Sequence, residues 1–205
     1  MYLSRVSLDR SDFHARLCLG DSNQMHRSLT RFFEASRLEA GLLYRLNSNG
    51  PENTVYMLSK ISPIVNERSL GDMPKGMKLE FYKEISSYIE SFNIGRVFSF
   101  DLLALPTKKV AEEGRKNSKR KFLTTREERE DWLNRKAEAG GFETLYSEES
   151  LPGKLYAGKG NNRIYMDPVR FTGRLVVTNS DKFKETYCKG IGAGKAYGAG
   201  MLLLI

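Results

Sequence analysis

Residues 169–204 read VRFTGRLVVTNSDKFKETYCKGIGAGKAYGAGMLLL, and the order of patterns in this stretch decides the fold. Val169–Thr178 alternates with a period of two, the pattern of a strand with one covered face. Asn179 or Ser180 offers a side-chain oxygen to cap a short helix over Ser180–Lys189. Gly190, Gly192, Gly194, Gly198 and Gly200 then take five of eleven positions, and Ala199–Leu204 closes the stretch as an apolar strand. Strand, helix, glycine-rich loop and strand make the second half of a βαββαβ unit.

The first half of that unit lies upstream. Arg96–Leu105 reads as a strand. A helix follows from Thr125 to Ala139, capped by Thr124 or Thr125, with Glu127 and Glu128 at its positive end and Gly140–Gly141 as its stop. Phe142–Tyr146 is a further strand, and LPGKLYAGKGNNR (151–163) reads as a hairpin or loop. The N-terminal half repeats the order. Met1–Leu8 is a strand, Asp21 or Ser22 caps a helix over 23–40, and Leu42–Leu46 and Thr54–Lys60 flank the turn-forming NSNGPEN. Residues 62–92 carry two patterns, because MKLEFY alternates like a strand while Tyr82, Ile85, Tyr88, Ile89 and Phe92 fit a helix. The expected fold is α+β: two tandem ferredoxin-like (RRM-like) βαββαβ domains with antiparallel sheets, residues 1–92 and 95–205.

Composition narrows the function classes. No stretch approaches the ~20 apolar residues of a membrane span, and the opening MYLSRVSLDRS has no signal-peptide pattern. Cys18 and Cys188 lie far apart without metal-ligand spacing, which suits a cytoplasmic protein with reduced thiols. The net charge of +8 favours a polyanionic partner, without separating RNA from DNA or an acidic membrane. Lys108, Lys109, Arg115, Lys116, Lys119, Arg120 and Lys121 crowd into fourteen positions between a strand and a helix. That run is either a solvated loop or a phosphate-gripping one.

The glycine-rich segment also has two readings. It is a tight helix-to-strand turn, or a loop whose inward amides, with Lys195, receive an anion. A nucleotide-binding P-loop is excluded, because Gly194–Lys195 is followed by Ala196 instead of Ser or Thr, and Lys189 stands where the first glycine belongs.

KGIGAGKAYGAGMLLL is similar to the C-terminal signature of the CRISPR RNA-processing ribonucleases, the CasE family in particular. Four further segments agree in order: MYLSRVSLDR, NQMHRSLTRFF, REEREDWLNRKAEAGGF and RFTGRLVVTNSDKFKETYCKGIG. Residues 62–92 stand outside the match. The resemblance implies a metal-independent endoribonuclease that cuts precursor CRISPR RNA at the base of the repeat hairpin. Attack by a 2′-hydroxyl leaves a 5′-hydroxyl and a 2′,3′-cyclic phosphate. The enzyme then retains its product among the other subunits of the Cascade complex.

His26 falls on the family's catalytic histidine. Placed in the first turn of its helix, it would stand where backbone amides and the helix dipole favour a phosphate. His14 reads as a surface residue. Some relatives carry a tyrosine three positions before the histidine; this chain has Asn23, which keeps open a catalytically weak or inactive hairpin-binding subunit. The assisting cation comes from Arg27, Arg31, Lys154, Lys159 or Arg163, with Lys159 preferred. RNA contacts are expected from Arg27, Arg31, Arg115, Lys116, Lys119, Arg120, Lys121, Lys154, Arg163, Lys195 and the glycines 190, 192, 194, 198 and 200. Arg126, Arg129 and Arg135 are candidates on the second-domain helix. No cofactor, metal site or membrane partner is expected.

Overall fold

The computed structural model describes residues 1–47, 53–64, 73–110, 119–159 and 162–205, with the side chains of Arg37, Lys119, Lys159, Asn162 and Arg163 outside the description. Arg115 and Lys116 therefore lie outside the described residues, as do the side chains of Lys119, Lys159 and Arg163.

The first sheet is built from β1 (Tyr2–Leu8), β2 (Leu43–Asn47), β3 (Asn53–Ser59) and β4 (Met77–Glu84), in the order β2-β3-β1-β4 with every pair antiparallel. Central β1 alternates, burying Ser4, Val6 and Leu8 on one face. Against that face pack α1 (Phe13–Gly20) and α2 (Ser22–Thr30), which contribute Ala15, Cys18, Met25 and Leu29 to a common core. The connection also contains a short α3 (Arg37–Ala40).

The single helix expected over 23–40 is thus broken, and a preceding helix was missed. After Thr30 the chain leaves the helix, with Phe32 and Phe33 both buried in the core beneath the first sheet. The amides of Arg31, Phe32 and Phe33 instead bond three residues back and tighten the chain out of α2. α1 is short and weakly patterned, and rests on its cap, with Asp12 accepting from the Ala15 amide at 3.0 Å.

Both patterns in 62–92 prove real. β4 pairs with β1 up to Glu84, and α4 (Ser86–Glu90) follows at once, with Ile85, Ile89 and Phe92 buried.

The second sheet holds β5 (Val97–Ala104), β8 (Phe142–Ser150), β11 (Val169–Val177) and β12 (Leu202–Leu204) in the order β12-β5-β11-β8, again antiparallel. The helices α5 (Arg126–Ala139) and α6 (Ser180–Lys189) complete the second βαββαβ order. Two hairpins are inserted: β6 (Thr107–Val110) with β7 (Lys119–Phe122), and β9 (Leu155–Lys159) with β10 (Asn162–Met166). The fold is two tandem ferredoxin-like units.

The sheets share a core. Leu43 and Leu58 of the first sheet and Ile85, Ile89 and Phe92 join the apolar cluster of the second. Fully buried Phe92 packs against Phe98 at 5.3 Å and against Phe183 and Tyr187 at 5.2 Å between ring centroids. One ionic group also crosses the seam. Asp101 of β5 accepts from Arg45 Nη2 at 3.0 Å and from Arg170 Nη2 at 2.7 Å.

Candidate active site

Asp21 starts α2, its Oδ1 accepting from the Asn23 amide at 2.8 Å. The helix begins at Ser22, so His26 is its fifth residue and lies in the second turn. The amide end of α2 is held by a carboxylate, and the Gly158 amide also reaches Asp21 at 3.3 Å. A phosphate held by the helix N-terminus is therefore not the arrangement found. Asn23 Nδ2 donates to the Gly158 carbonyl at 2.8 Å and clamps α2 onto the β9–β10 hairpin. In this chain position 23 carries an inter-element fastener.

His26 is half-buried. Its ring lies nearly parallel to that of Tyr44, with centroids 6.4 Å apart and planes 17° from each other. Tyr44, on β2, is 2% exposed, and its hydroxyl bonds the carbonyls of Ala196 at 3.0 Å and Ser22 at 3.3 Å. One phenol thus joins the strand behind α2, the first turn of α2 and a 3-10 turn (Lys195–Tyr197) in the glycine-rich segment. Sequence reasoning missed Tyr44. Nothing about a tyrosine in an apolar strand distinguishes it from ordinary core.

His14 does not converge on His26. It is half-buried, not a surface residue, and its Nε2 lies 2.9 Å from Ser28 Oγ. Ser28 is two residues beyond His26, about 200° around a helix of 3.6 residues per turn. Buried Cys18 completes that contact, its Sγ 3.3 Å from Ser28 Oγ, and burial pushes its thiol up from the ordinary value.

The glycines serve packing first. A Cβ on Gly198, at φ +82°, would stand 2.9 Å from Tyr44 Cε2, and one on Gly194 would stand 2.3 Å from Leu105 Cδ1. The amides of Gly190, Ile191, Tyr197, Ala199 and Gly200 bond carbonyls of the chain itself, so these five are not turned towards an anion.

Basic residues nevertheless gather beside this segment. Arg120 of β7, Lys136 of α5 and Lys195 line a groove of about 370 Å³ whose floor includes Trp132, Gly190 and Gly192. Folding of the β6–β7 hairpin thus carries Arg120 of the basic run to the glycine-rich turn. Lys136 is an addition that sequence reasoning did not single out. Arg27, Arg31, Lys121 and Lys154 are exposed. Arg126 and Arg135 are exposed as well, but Arg129 is not a surface cation. It is 8% exposed, donates through Nε and Nη2 to Glu149 at 2.9 and 2.5 Å, and also bonds the Thr124 carbonyl. Among the described residues no group of three or more His, Cys, Asp or Glu side chains is placed to hold a metal ion. None of the described helices is long and apolar enough to cross a membrane.

The pattern of the family described as CRISPR associated protein matches residues 1–205. This chain belongs to that family. It is 28% identical to the CRISPR-associated endoribonuclease Cse3 of Thermus thermophilus, over 98% of each chain. It superposes on a structure of CRISPR endoribonuclease Cse3 bound to a 19-nucleotide RNA with a TM-score of 0.81, at 28% identity over the whole of both chains. The CRISPR-associated protein Cas6e of Escherichia coli shares the fold, with a TM-score of 0.76 at 22% identity over 100% of this chain and 98% of that one. The CasE resemblance read from the terminal segments agrees with these matches.

Proposed function

We propose that this protein is an endoribonuclease that cleaves precursor CRISPR RNA at the base of the repeat hairpin and keeps the product within a surveillance complex in the cytoplasm. The observation that carries the reading is Tyr44, which stacks on His26 and bonds the glycine-rich turn, so that imidazole and turn border one surface. His26 acts as the proton acceptor for the attacking 2′-hydroxyl. Such a placed base contributes ~10²–10⁴-fold, and alignment of the nucleophile and charge on the phosphate oxygens supply the rest. The products are a 5′-hydroxyl and a 2′,3′-cyclic phosphate, and the attack needs no metal-bound water. Lys159 on β9, beside the Gly158 clamp to α2, is the proposed cation on the phosphate. The domain limits are taken as 1–92 and 95–205, each sheet drawing its strands from one side of that boundary.

The A-form stem is read through its backbone and shape. The β6–β7 hairpin, Arg27, Arg31, Lys154, Arg163 and the groove of Arg120, Lys136 and Lys195 provide its contacts.

The deciding assay incubates the protein and a His26→Ala variant with labelled cognate repeat RNA in EDTA. Cleavage by the parent alone supports the reading. Cleavage that requires magnesium overturns the mechanism. Equal binding with no cutting by either protein makes the chain a hairpin-binding subunit, the alternative that Asn23 first suggested. Neutralising Lys119, Arg120 and Lys121 together is expected to weaken binding and flatten its log–log salt dependence by about one unit per lost phosphate contact. An unchanged salt slope removes the hairpin from the interface.

A further inference from the structure

The 3-10 turn has a cavity on each flank. On one lies the cationic groove of Arg120, Lys136 and Lys195. On the other is a pocket of about 280 Å³ walled by Ser22, Tyr44, Leu155, Tyr156 and Tyr197, with Lys154 at its margin. Pockets for drug-sized ligands span about 300–1,000 Å³. This one has room for a single planar ring system and not for a base pair.

Its walls suit such a ring. Tyr44 is already engaged by His26 and by the close approach of Gly198. Tyr156 and Tyr197 line the pocket and are only half-buried. Tyr156 packs beside its cross-strand partner Tyr165, at 5.5 Å between centroids with the planes tilted by 46°. Lys154, 68% exposed and only loosely paired with Asp167 at 3.9 Å, brings a cation to the rim. Aromatic walls with one cation are the recurring chemistry by which proteins hold an unstacked base and its phosphate.

The position relative to His26 specifies which base. Ser22 precedes His26 by four residues, so the two share a face of α2. Tyr44 forms a wall of the pocket while stacking on the imidazole.

We propose that this pocket receives the nucleobase of one unpaired nucleotide flanking the cleaved bond, stacked on Tyr156 and Tyr197. The assignment of that nucleotide rests on His26 as the base in the reaction. The subsite draws the strand away from the stem and sets which nucleotide is presented to the imidazole.

The test uses the full chain as its His26→Ala variant, which holds RNA uncut, and cognate repeat hairpins with an abasic residue at each unpaired position beside the stem in turn. One position is expected to lose about 5- to 150-fold in affinity. That penalty falls below about twofold when Tyr156→Leu and Tyr197→Leu are added, and persists with Tyr156→Phe. A penalty indifferent to the two tyrosines, or none at any position, overturns the proposal, and is the result expected if a side chain of a neighbouring protein fills the pocket instead. Should the leucine variant fail to fold, 2-aminopurine at the same positions decides. Fluorescence quenched at one flanking position in the otherwise unaltered protein supports stacking, and unchanged fluorescence at all of them refutes it. Parental cleavage by His26→Ala, with the tyrosine-dependent penalty intact, would remove the imidazole from the chemistry and leave the subsite standing.

Discussion

Replacing Asp101 with alanine removes a carboxylate shared by two guanidiniums at the seam between the sheets. Arg45 and Asp101 have side chains 8% and 11% exposed, and Arg170 is 34% exposed. Burial, and after it the neighbouring Arg170 charge, push the Arg45 guanidinium down from its ordinary value, and Asp101 is the group that opposes this. Stripping one partner from a buried ion pair costs about 3–5 kcal/mol, because the remaining charge stays desolvated. Arg170 adds little to that figure, since it reaches solvent and its charge is screened there. In a chain of this size each kcal/mol moves the melting temperature by about 2–4 °C, so Asp101→Ala should melt about 6–20 °C below the parent. Urea and thermal unfolding followed by circular dichroism measure the loss. Arg170→Ala, which leaves the Arg45–Asp101 contact in place, should cost about 1 kcal/mol. An apolar exchange of the inner pair, Arg45→Met with Asp101→Leu, should recover most of the deficit. If Asp101→Ala unfolds within 1 kcal/mol of the parent, or no worse than Arg170→Ala, Arg45 has found another way to be solvated and the reasoning fails.

Gly198→Ala should lose about 1–2 kcal/mol from its left-handed backbone and also cut more slowly, because the new methyl pushes on Tyr44. Gly20→Ala, with nothing within 4 Å of its added carbon, is the neutral or mildly stabilising control in the same melts and cleavage assays. Glu149 is held below its ordinary value of 4.5 by its hydrogen bonds from Arg129. With the folded value depressed, the unfolded chain binds the proton first. The stabilisation is therefore complete above the ordinary value and is lost as the pH falls through the depressed one. Glu149→Gln should make unfolding less steep on the acid side, and an unaltered acid limb in urea titrations at stepped pH would contradict this.

Most of the fold was legible because period and punctuation agreed. The cap at Asn179 or Ser180, the stop at Gly140–Gly141 and the alternation over 169–178 each name an element and its end. Where two elements abut without a turn residue, as β4 and α4 do at Glu84–Ile85, the overlapping periods concealed the junction. The broken helix after Thr30 was hidden for a different reason. Phe32 and Phe33 lie at spacings that approximate a helix, and no Gly, Pro or turn residue between Thr30 and Phe33 marks the break.

For the candidate site, sequence reasoning reached the residues with reactive or charged side chains. It could not reach those whose part depends on neighbours distant along the chain. Tyr44, Tyr156 and Lys136 belong to that second group, being distinguished only by what folding brings beside them. Arg129 shows the converse, a residue that looks like a nucleic-acid contact until Glu149 on the adjacent strand claims it.

Phe92 and its neighbours leave no lubricated joint between the two sheets. Paired domains ordinarily swing against one another, yet here the swing would pull a continuous apolar interior into water. The molecule is therefore a stiff mould rather than a jaw. For the RNA substrate proposed above, accommodation would then have to come from distortion of the RNA itself. A substrate that cannot be bent or unstacked to fit that mould should be rejected however well its charge is matched.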